Sequence, residues 1–175
     1  MTGIIILPIN PVDRGLLSNV TAPIAAELGL PVRIEESITI NPAFAFDLKR
    51  NQHNSTAFIA AMLQNYPGND KKIIAVTGLD LFVPVLTYVF GEAQLGGKAA
   101  VVSTFRLDET LYGLPANPLL LHERLIKECV HELGHTFGLI HCRDYDCAMH
   151  SSTAVEEIDI KGQKLCERCM GEMKI

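Results

Sequence analysis

Three histidines and a glutamate between residues 131 and 141 have the spacing of a catalytic metal site. His131 and His135 are four residues apart, and residues at that spacing share one face of an α-helix, so both imidazoles can bind one metal ion. Glu132 lies beside the first histidine, and Gly138 allows the sharp exit from the helix that returns His141 to the ion. Three imidazoles with an open fourth position are typical of catalytic zinc. The stretch predicts a hydrolase in which Glu132 activates a zinc-bound water for attack on a carbonyl carbon.

Four of the five cysteines form two closely spaced pairs in the last quarter of the chain. Four residues separate Cys142 from Cys147, and two separate Cys166 from Cys169. Four thiolates at such spacings are typical of a closed tetrahedral zinc site with a structural role. An iron-binding or redox role and a pair of disulfides are the alternatives. The fifth cysteine, Cys129, falls on the buried side of a predicted helix and is interpreted as a core thiol.

The two predicted metal sites share a loop, because Cys142 directly follows His141. The residues after Gly138 include few large apolar side chains, so a bound metal would supply stability that the local core cannot. We therefore hypothesise that the cysteine zinc holds His141 in place, and we expect two zinc ions per chain. Met149 is either an apolar floor beneath the catalytic metal or an ordinary core residue.

A long helix must carry the first two histidines. Asn117 and Pro118 are typical of a helix start, and Gly138 is typical of a helix end. Apolar side chains recur between them at helical period, at Leu119, Ile126, Val130, Leu133 and Phe137. The histidine edge lies about 100° around the helix from this apolar face. One side of the helix would then pack on the core while another presents imidazoles to a cleft.

The preceding residues predict a sheet that supports this helix. Apolar runs typical of strands fall at residues 4–9, 31–40, 72–77, 85–90 and 98–105, and helical patterns fall at 13–28 and 54–66. Alternating strands and helices followed by a pair of strands predict an α/β (α+β) fold. The sheet would be mixed and twisted, with helices on its faces.

The bulk composition indicates one globular domain. The chain has 175 residues, of which 48% are hydrophobic and 20% charged, enough to bury a sizeable core. We expect a single domain over 1–175, with an upper subdomain over 1–138 and a lower one over 139–175.

A net charge of −5 without a basic block favours neither nucleic acid nor a membrane as a partner. The apolar run at residues 4–7 is too short for a signal peptide or a membrane span, so we expect a cytoplasmic protein, and a monomer.

These motifs resemble those of a known family. The pattern His131-Glu132-x-x-His135-x-x-Gly138-x-x-His141 resembles the extended zinc signature of the metzincin metalloproteases. The four paired cysteines, together with Met149, resemble the archaemetzincin branch. Residues 90–93, with the sequence Phe-Gly-Glu-Ala, resemble the edge-strand region of that branch.

The resemblance implies a metzincin-like fold with a five-stranded mixed sheet, two long helices and a small C-terminal lobe that a structural zinc stabilises. The active-site helix would form the floor of the cleft, and Met149 would belong to the Met-turn beneath the metal. Glu132 would be the general base. The ligands of the catalytic zinc would be His131, His135 and His141, and those of the structural zinc would be Cys142, Cys147, Cys166 and Cys169.

The leading hypothesis is a zinc-dependent metallopeptidase that acts on a peptide or protein substrate, with endopeptidase and aminopeptidase action both open. The substrate backbone would add to the sheet edge near residues 89–98. One alternative is a zinc-stabilised peptide-binding protein with little or no turnover, and another is a metal-dependent hydrolase of a non-peptide amide. A histidine-rich helix end without a metal, or a purely structural three-histidine site, is the alternative for the histidine stretch itself.

Overall fold

The computed structural model describes residues 3–37, 39–66, 68 and 70–174. In chain order the elements are β1 Gly3–Ile9, α1 Arg14–Leu28, β2 Val32–Ile34, β3 Phe46–Asp47, β4 Gln52–Asn54, α2 Ser55–Asn65, β5 Lys71–Thr77, β6 Leu81–Phe82, β7 Gly91–Ala93, β8 Ala99–Ser103, α3 Pro118–Thr136, α4 Val155–Ile160 and α5 Glu167–Glu172.

Five of the strands form one mixed sheet, in the order β2-β1-β5-β8-β7. Strands β2, β1, β5 and β8 run parallel to one another, and β7 runs antiparallel to β8 at the edge. The predicted five-stranded mixed sheet is therefore confirmed. Within the described residues β7 pairs only with β8, so its outer edge presents backbone groups that another strand can use.

Helices cover both faces of the sheet because its central strands are apolar on both sides. Every residue of β1 and β8 is buried, as expected of parallel strands between two helical layers. Ile4 and Ile6 belong to a core shared with α1 and α3, whereas Leu7 and Ile9 belong to a core shared with α2. The period-2 alternation of β1 thus decides which helix packs on which face.

Helix α3 has the predicted beginning and end. The Asn117 side chain accepts a hydrogen bond from the backbone N–H of Leu120 at 3.2 Å, and Pro118 is the first helical residue. Beyond the last helical residue, Thr136, the backbone of Gly138 has a φ of 90°. That left-handed conformation is cheap only for glycine, so the chain turns away from the helix axis at this point.

Two of the predicted strands differ from the structure. The strand predicted over residues 85–90 is wrong, since that segment is a loop whose Val85 side chain is 88% exposed. Its shape is held by Arg50, whose guanidinium donates to the carbonyl oxygens of Pro84 and Leu86. The strand predicted over residues 31–40 is confined to β2, and Ile38 lies outside the described residues. A second sheet, in the order β3-β4-β6, was not predicted because its strands have only two or three residues.

The segment after Gly138 contains two short helices and packs against α3. Val155, Ile158 and Leu165 extend the core on that side of the sheet. Arg124 of α3 pairs with Asp159 at the end of α4, with a guanidinium–carboxylate distance of 2.7 Å. Among the described residues, every helix is too short or too polar to span a bilayer.

Candidate active site

The first two histidines of α3 are oriented by backbone carbonyl groups. His131 Nδ1 lies 2.8 Å from the carbonyl oxygen of Ala148, and His135 Nδ1 lies 2.8 Å from that of Leu139. A carbonyl oxygen only accepts hydrogen bonds, so each Nδ1 carries the proton. Each Nε2 is then a lone-pair donor, and the two Nε2 atoms face each other at 3.1 Å.

Two lone pairs at this distance repel each other unless a cation lies between them. Tetrahedral zinc with Zn–N bonds of about 2.0–2.1 Å would place its nitrogen ligands about 3.3 Å apart, which fits the observed separation. Burial lowers the pKa of His131 well below its usual range and also lowers the pKa of His135. Both imidazoles are thus kept in the neutral form that binds a metal.

The third histidine reaches the same point from the loop after Gly138. His141 is exposed, and its ring centroid lies 5.3 Å from that of His131 and 5.0 Å from that of His135. One ring nitrogen from each of the three histidines lies within 4.8 Å of the other two. The structure therefore brings together the three histidines that the sequence singled out, in an arrangement that a zinc ion fits.

Glu132 lies beside this cluster on the wall of a cleft of about 520 Å³. Burial raises the pKa of its carboxyl well above the usual range, and the neighbouring Glu128 raises it further, while Lys161 opposes the shift. The β7 backbone is unusually close, because a Cβ built on Gly91 would lie 2.7 Å from Glu132 Oε1. The carboxyl is therefore confined between the helix and the open strand edge, beside the three imidazoles.

Met149 lies against the helix directly behind the histidines. Its sulfur occupies the space that a Cβ on Gly134 would need. The carbonyl oxygen of Met149 accepts a hydrogen bond from the backbone N–H of Cys142 at 2.9 Å. The absence of a side chain at Gly134 is what allows this close packing. A glycine inside an amphipathic helix is the only signal that pointed to it.

The four paired cysteines converge on one point. The Sγ atoms of Cys142 and Cys166 are 3.8 Å apart, as are those of Cys147 and Cys169. All five cysteines are free thiols. Tetrahedral zinc with Zn–S bonds of about 2.3 Å would separate its sulfur ligands by about 3.8 Å, so the cluster fits such an ion. An Arg168 guanidinium N–H donates to Cys142 Sγ at 3.1 Å, as expected for support of a thiolate.

Lys72 supports the end of the histidine helix and was not identified from the sequence. Its buried ammonium donates to the carbonyl oxygen of Thr136 at 2.7 Å and to that of Gly97 at 2.6 Å. It also lies 4.8 Å from the centroid of the Phe137 ring. Lys72 thus ties the last turn of α3 to the turn between β7 and β8. A single lysine near the start of an apolar strand gives no signal of such a contact.

Two further polar residues, His150 and Tyr88, lie near the three histidines. His150 Nδ1 lies 3.1 Å from the carbonyl oxygen of Cys142, outside the three-histidine cluster. Tyr88 lines the cleft, and its hydroxyl donates to the carbonyl oxygen of Thr153 at 2.8 Å, which bridges the two sides of the cleft.

Comparison with known proteins places these features in a family. A family model described as peptidase family M54 matches residues 28–175. The archaemetzincin of Pyrococcus furiosus is 36% identical over 178 residues, covering 98% of this chain and 92% of that protein. The crystal structure of a zinc-dependent peptidase from Methanocorpusculum labreanum has a TM-score of 0.86 and 30% identity, covering 97% of this chain and 99% of that one. The archaemetzincin of Archaeoglobus fulgidus, crystallised with malonate, has a TM-score of 0.84 and 30% identity, covering 98% and 100%.

Proposed function

The chain belongs to peptidase family M54 and is a zinc metallopeptidase of the archaemetzincin type, and we propose that Glu132 is its general base. We further propose that His131, His135 and His141 bind the catalytic zinc. The convergence of three imidazole nitrogens within 4.8 Å beside a buried carboxyl carries this proposal.

In the proposed reaction, Glu132 transfers the protons and Gly91 allows the substrate to approach closely. Zinc, when bound, polarises the scissile carbonyl and lowers the pKa of a water molecule. Glu132 takes the proton of the attacking water and delivers it to the leaving amine. Burial raises the pKa of the Glu132 carboxyl, and this carboxyl would ionise more readily, and so serve as a base, beside a bound divalent cation. Gly91 brings the substrate-binding strand edge against this carboxylate.

The open edge of β7 suits an extended peptide. Gly91, Glu92 and Ala93 all line the cleft that contains the histidines. A substrate segment pairing with β7 would gain backbone hydrogen bonds that do not depend on its sequence. The scissile carbonyl would then lie between β7 and α3, within reach of Glu132.

The second metal site completes the proposal. Cys142, Cys147, Cys166 and Cys169 bind a structural zinc, which gives two zinc ions per chain. The Sγ separations of 3.8 Å support this assignment. Elemental analysis of the purified protein should find about two zinc ions per chain and little iron, and one zinc or an iron content of similar size would contradict it.

The test of function compares Glu132→Ala and the isosteric Glu132→Gln with the wild type in a mass-spectrometric peptide-cleavage profile. Removing a general base costs about 10²–10⁴-fold in rate, so both variants should lose cleavage while zinc content stays unchanged. Glu123→Ala, an exposed glutamate on the same helix, is the matched control and should cleave as the wild type does. Cleavage that survives both Glu132 substitutions would overturn the mechanism. A wild type that cleaves no peptide would overturn the function.

A further inference from the structure

A buried ion pair lies in the wall of the cleft and has no part in the mechanism above. Lys161 Nζ is 2.7 Å from Glu128 Oε1, and the two side chains are 1% and 4% exposed. Glu128 is on α3, one turn before Glu132, whereas Lys161 follows α4, and both line the cleft. Ion pairs that are this buried usually need further hydrogen bonds to offset the loss of solvation.

Glu128 lacks those further hydrogen bonds. The Lys161 ammonium lies 2.7 Å from Oε1, but this contact is an ion pair without hydrogen-bond geometry. Among the described residues no donor is directed at Oε1. An ionised carboxylate has about four acceptor positions and no donor. A buried carboxylate with unused acceptor positions beside a substrate cleft is suited to a ligand that donates hydrogen bonds.

The position of Glu128 along the cleft follows from the packing of β7 against α3. Gly91 lies against Glu132, and the backbone N–H of Gly96 donates to the carbonyl oxygen of His135 at 2.9 Å. The strand and its following turn therefore run alongside α3 in the same direction. Glu128 is then beyond Gly91, at the Phe90 end of the strand.

The direction of the substrate decides which of its residues meets Glu128. A segment added antiparallel to β7 runs from the Gly96 end toward the Phe90 end. The residues that follow the scissile bond then lie at the end of the cleft that contains Glu128 and Tyr88.

We propose that Glu128 is a specificity-determining residue that accepts a hydrogen bond from the side chain of the substrate residue after the scissile bond. This inference rests on the proposed peptidase function. Lys161 already balances the charge of Glu128, so a cationic substrate side chain would meet a like charge nearby. The favoured side chains are uncharged donors, namely those of Ser, Thr, Asn and Gln.

The test uses pairs of peptides that differ only after the scissile bond, with Thr against Val and Asn against Leu. These pairs have similar size but only one member donates a hydrogen bond. The wild type should cleave the donor peptide about tenfold faster, as measured by kcat/KM, because a hydrogen bond to a charged group has roughly that effect.

Three variants identify Glu128 as the source of the preference. The double variant Glu128→Leu with Lys161→Met replaces the ion pair by apolar side chains of similar volume, which buried pairs often tolerate. Its preference should vanish or reverse toward Val and Leu. Glu128→Gln adds amide donors and removes the charge, so the preference should fall several-fold even if the double variant does not fold. Lys127→Met is the matched control, because Lys127 joins α3 to the carbonyl oxygens of Ile158 and Asp159 outside the cleft; it should keep the wild-type ratio.

The outcomes separate this inference from the peptidase function. A wild type that cleaves both members of each pair equally, or a Glu128→Gln variant with the wild-type ratio, overturns the role of Glu128 and leaves the function standing. A wild type without any cleavage that depends on Glu132 overturns the function, and the role of Glu128 falls with it.

Discussion

At the scale of single residues, the site depends on small side chains as much as on ligands. Gly91 and Gly134 leave the space that Glu132 and Met149 occupy. The proposed metal ligands were recognisable from residue type and spacing, because three imidazoles on one helix and its following loop have few other uses. The two glycines were not recognisable from the sequence. Only the positions of the neighbouring atoms show that a side chain would not fit there.

Gly91→Ala should lower kcat/KM by about a hundredfold while zinc content is unchanged. The new Cβ would lie 2.7 Å from Glu132 Oε1 and 2.8 Å from the carbonyl oxygen of Val101. The backbone oxygen cannot move aside easily, so the carboxyl or the strand edge must shift, and a displacement of about 1 Å can have an effect of this size. Kinetics and metal analysis on the same sample provide the measurement. Gly171→Ala, in α5 with open space around it, should retain full activity, and equal loss in both variants would argue against the close contact.

Cys129 should make folding stability fall as the solution becomes more alkaline. Burial raises the pKa of this core thiol far above its usual range. The unfolded chain releases the thiol proton above about pH 8.5, whereas the folded protein retains it. Unfolding is therefore favoured as pH rises, by up to about 1.4 kcal/mol per pH unit. Denaturant melts between neutral and alkaline pH should give a smaller decline for Cys129→Ala than for the wild type, and parallel curves would contradict the prediction.

At the scale of elements, the end of α3 is where the histidine cluster is joined to the segment after β7, the strand proposed to bind substrate. Lys72 and the backbone of Gly96 both bond carbonyl groups in the last turn of α3. The helix itself was predictable over its full length, because a capping asparagine, a proline and an apolar stripe agree with one another. The loop over residues 83–90 was not predictable. Its apolar residues gave the pattern of a strand, whereas its course depends on contacts with distant residues, such as those of Arg50 with Pro84 and Leu86 and that of Tyr88 with Thr153.

Lys72→Met should destabilise the fold by about 2 kcal/mol, because one buried and one partly buried carbonyl oxygen lose their donor. Thr136 and Gly97 carry those oxygens. The backbone amide hydrogens at the end of α3 and in the turn after β7 should therefore exchange faster with solvent. Lys71→Met is the matched control. The Lys71 side chain is 38% exposed and lies 3.9 Å from the Asp70 carboxylate, and an exposed pair contributes little. Similar losses in the two variants would indicate that Lys72 has no special role.

At the scale of the whole molecule, the C-terminal segment is part of the same structure as the sheet. Its core residues join those of α1 and α3, and the backbone N–H of Leu165 donates to Glu27 at 2.6 Å. The sequence predicted the five-stranded sheet and the convergence of the cysteines. It did not predict the contacts between distant segments, because pairs such as Leu165 with Glu27 have no local pattern.

Cys166→Ser combined with Cys169→Ser should release one zinc ion per chain and lower the melting temperature sharply. A structural zinc contributes its binding free energy to folding. The variant should also bind its remaining zinc more weakly, because Cys142 adjoins His141 and bonds Met149. Zinc titration with a competing chelator, together with thermal melts, measures both effects. Cys129→Ala should keep both ions, and unchanged affinity at the histidine site in the double variant would refute the coupling between the sites.

The distance in sequence between His141 and the second cysteine pair sets an order of events during synthesis. Ribosomes deliver the chain from its N-terminus, so α3 emerges with His131 and His135 well before Cys166 and Cys169. Until those two cysteines leave the exit tunnel, the loop that carries His141 has only Cys142 and Cys147 to close it. On the proposed coupling between the two metal sites, the nascent polypeptide becomes a competent peptidase only after α5, which contains Cys169, has been translated.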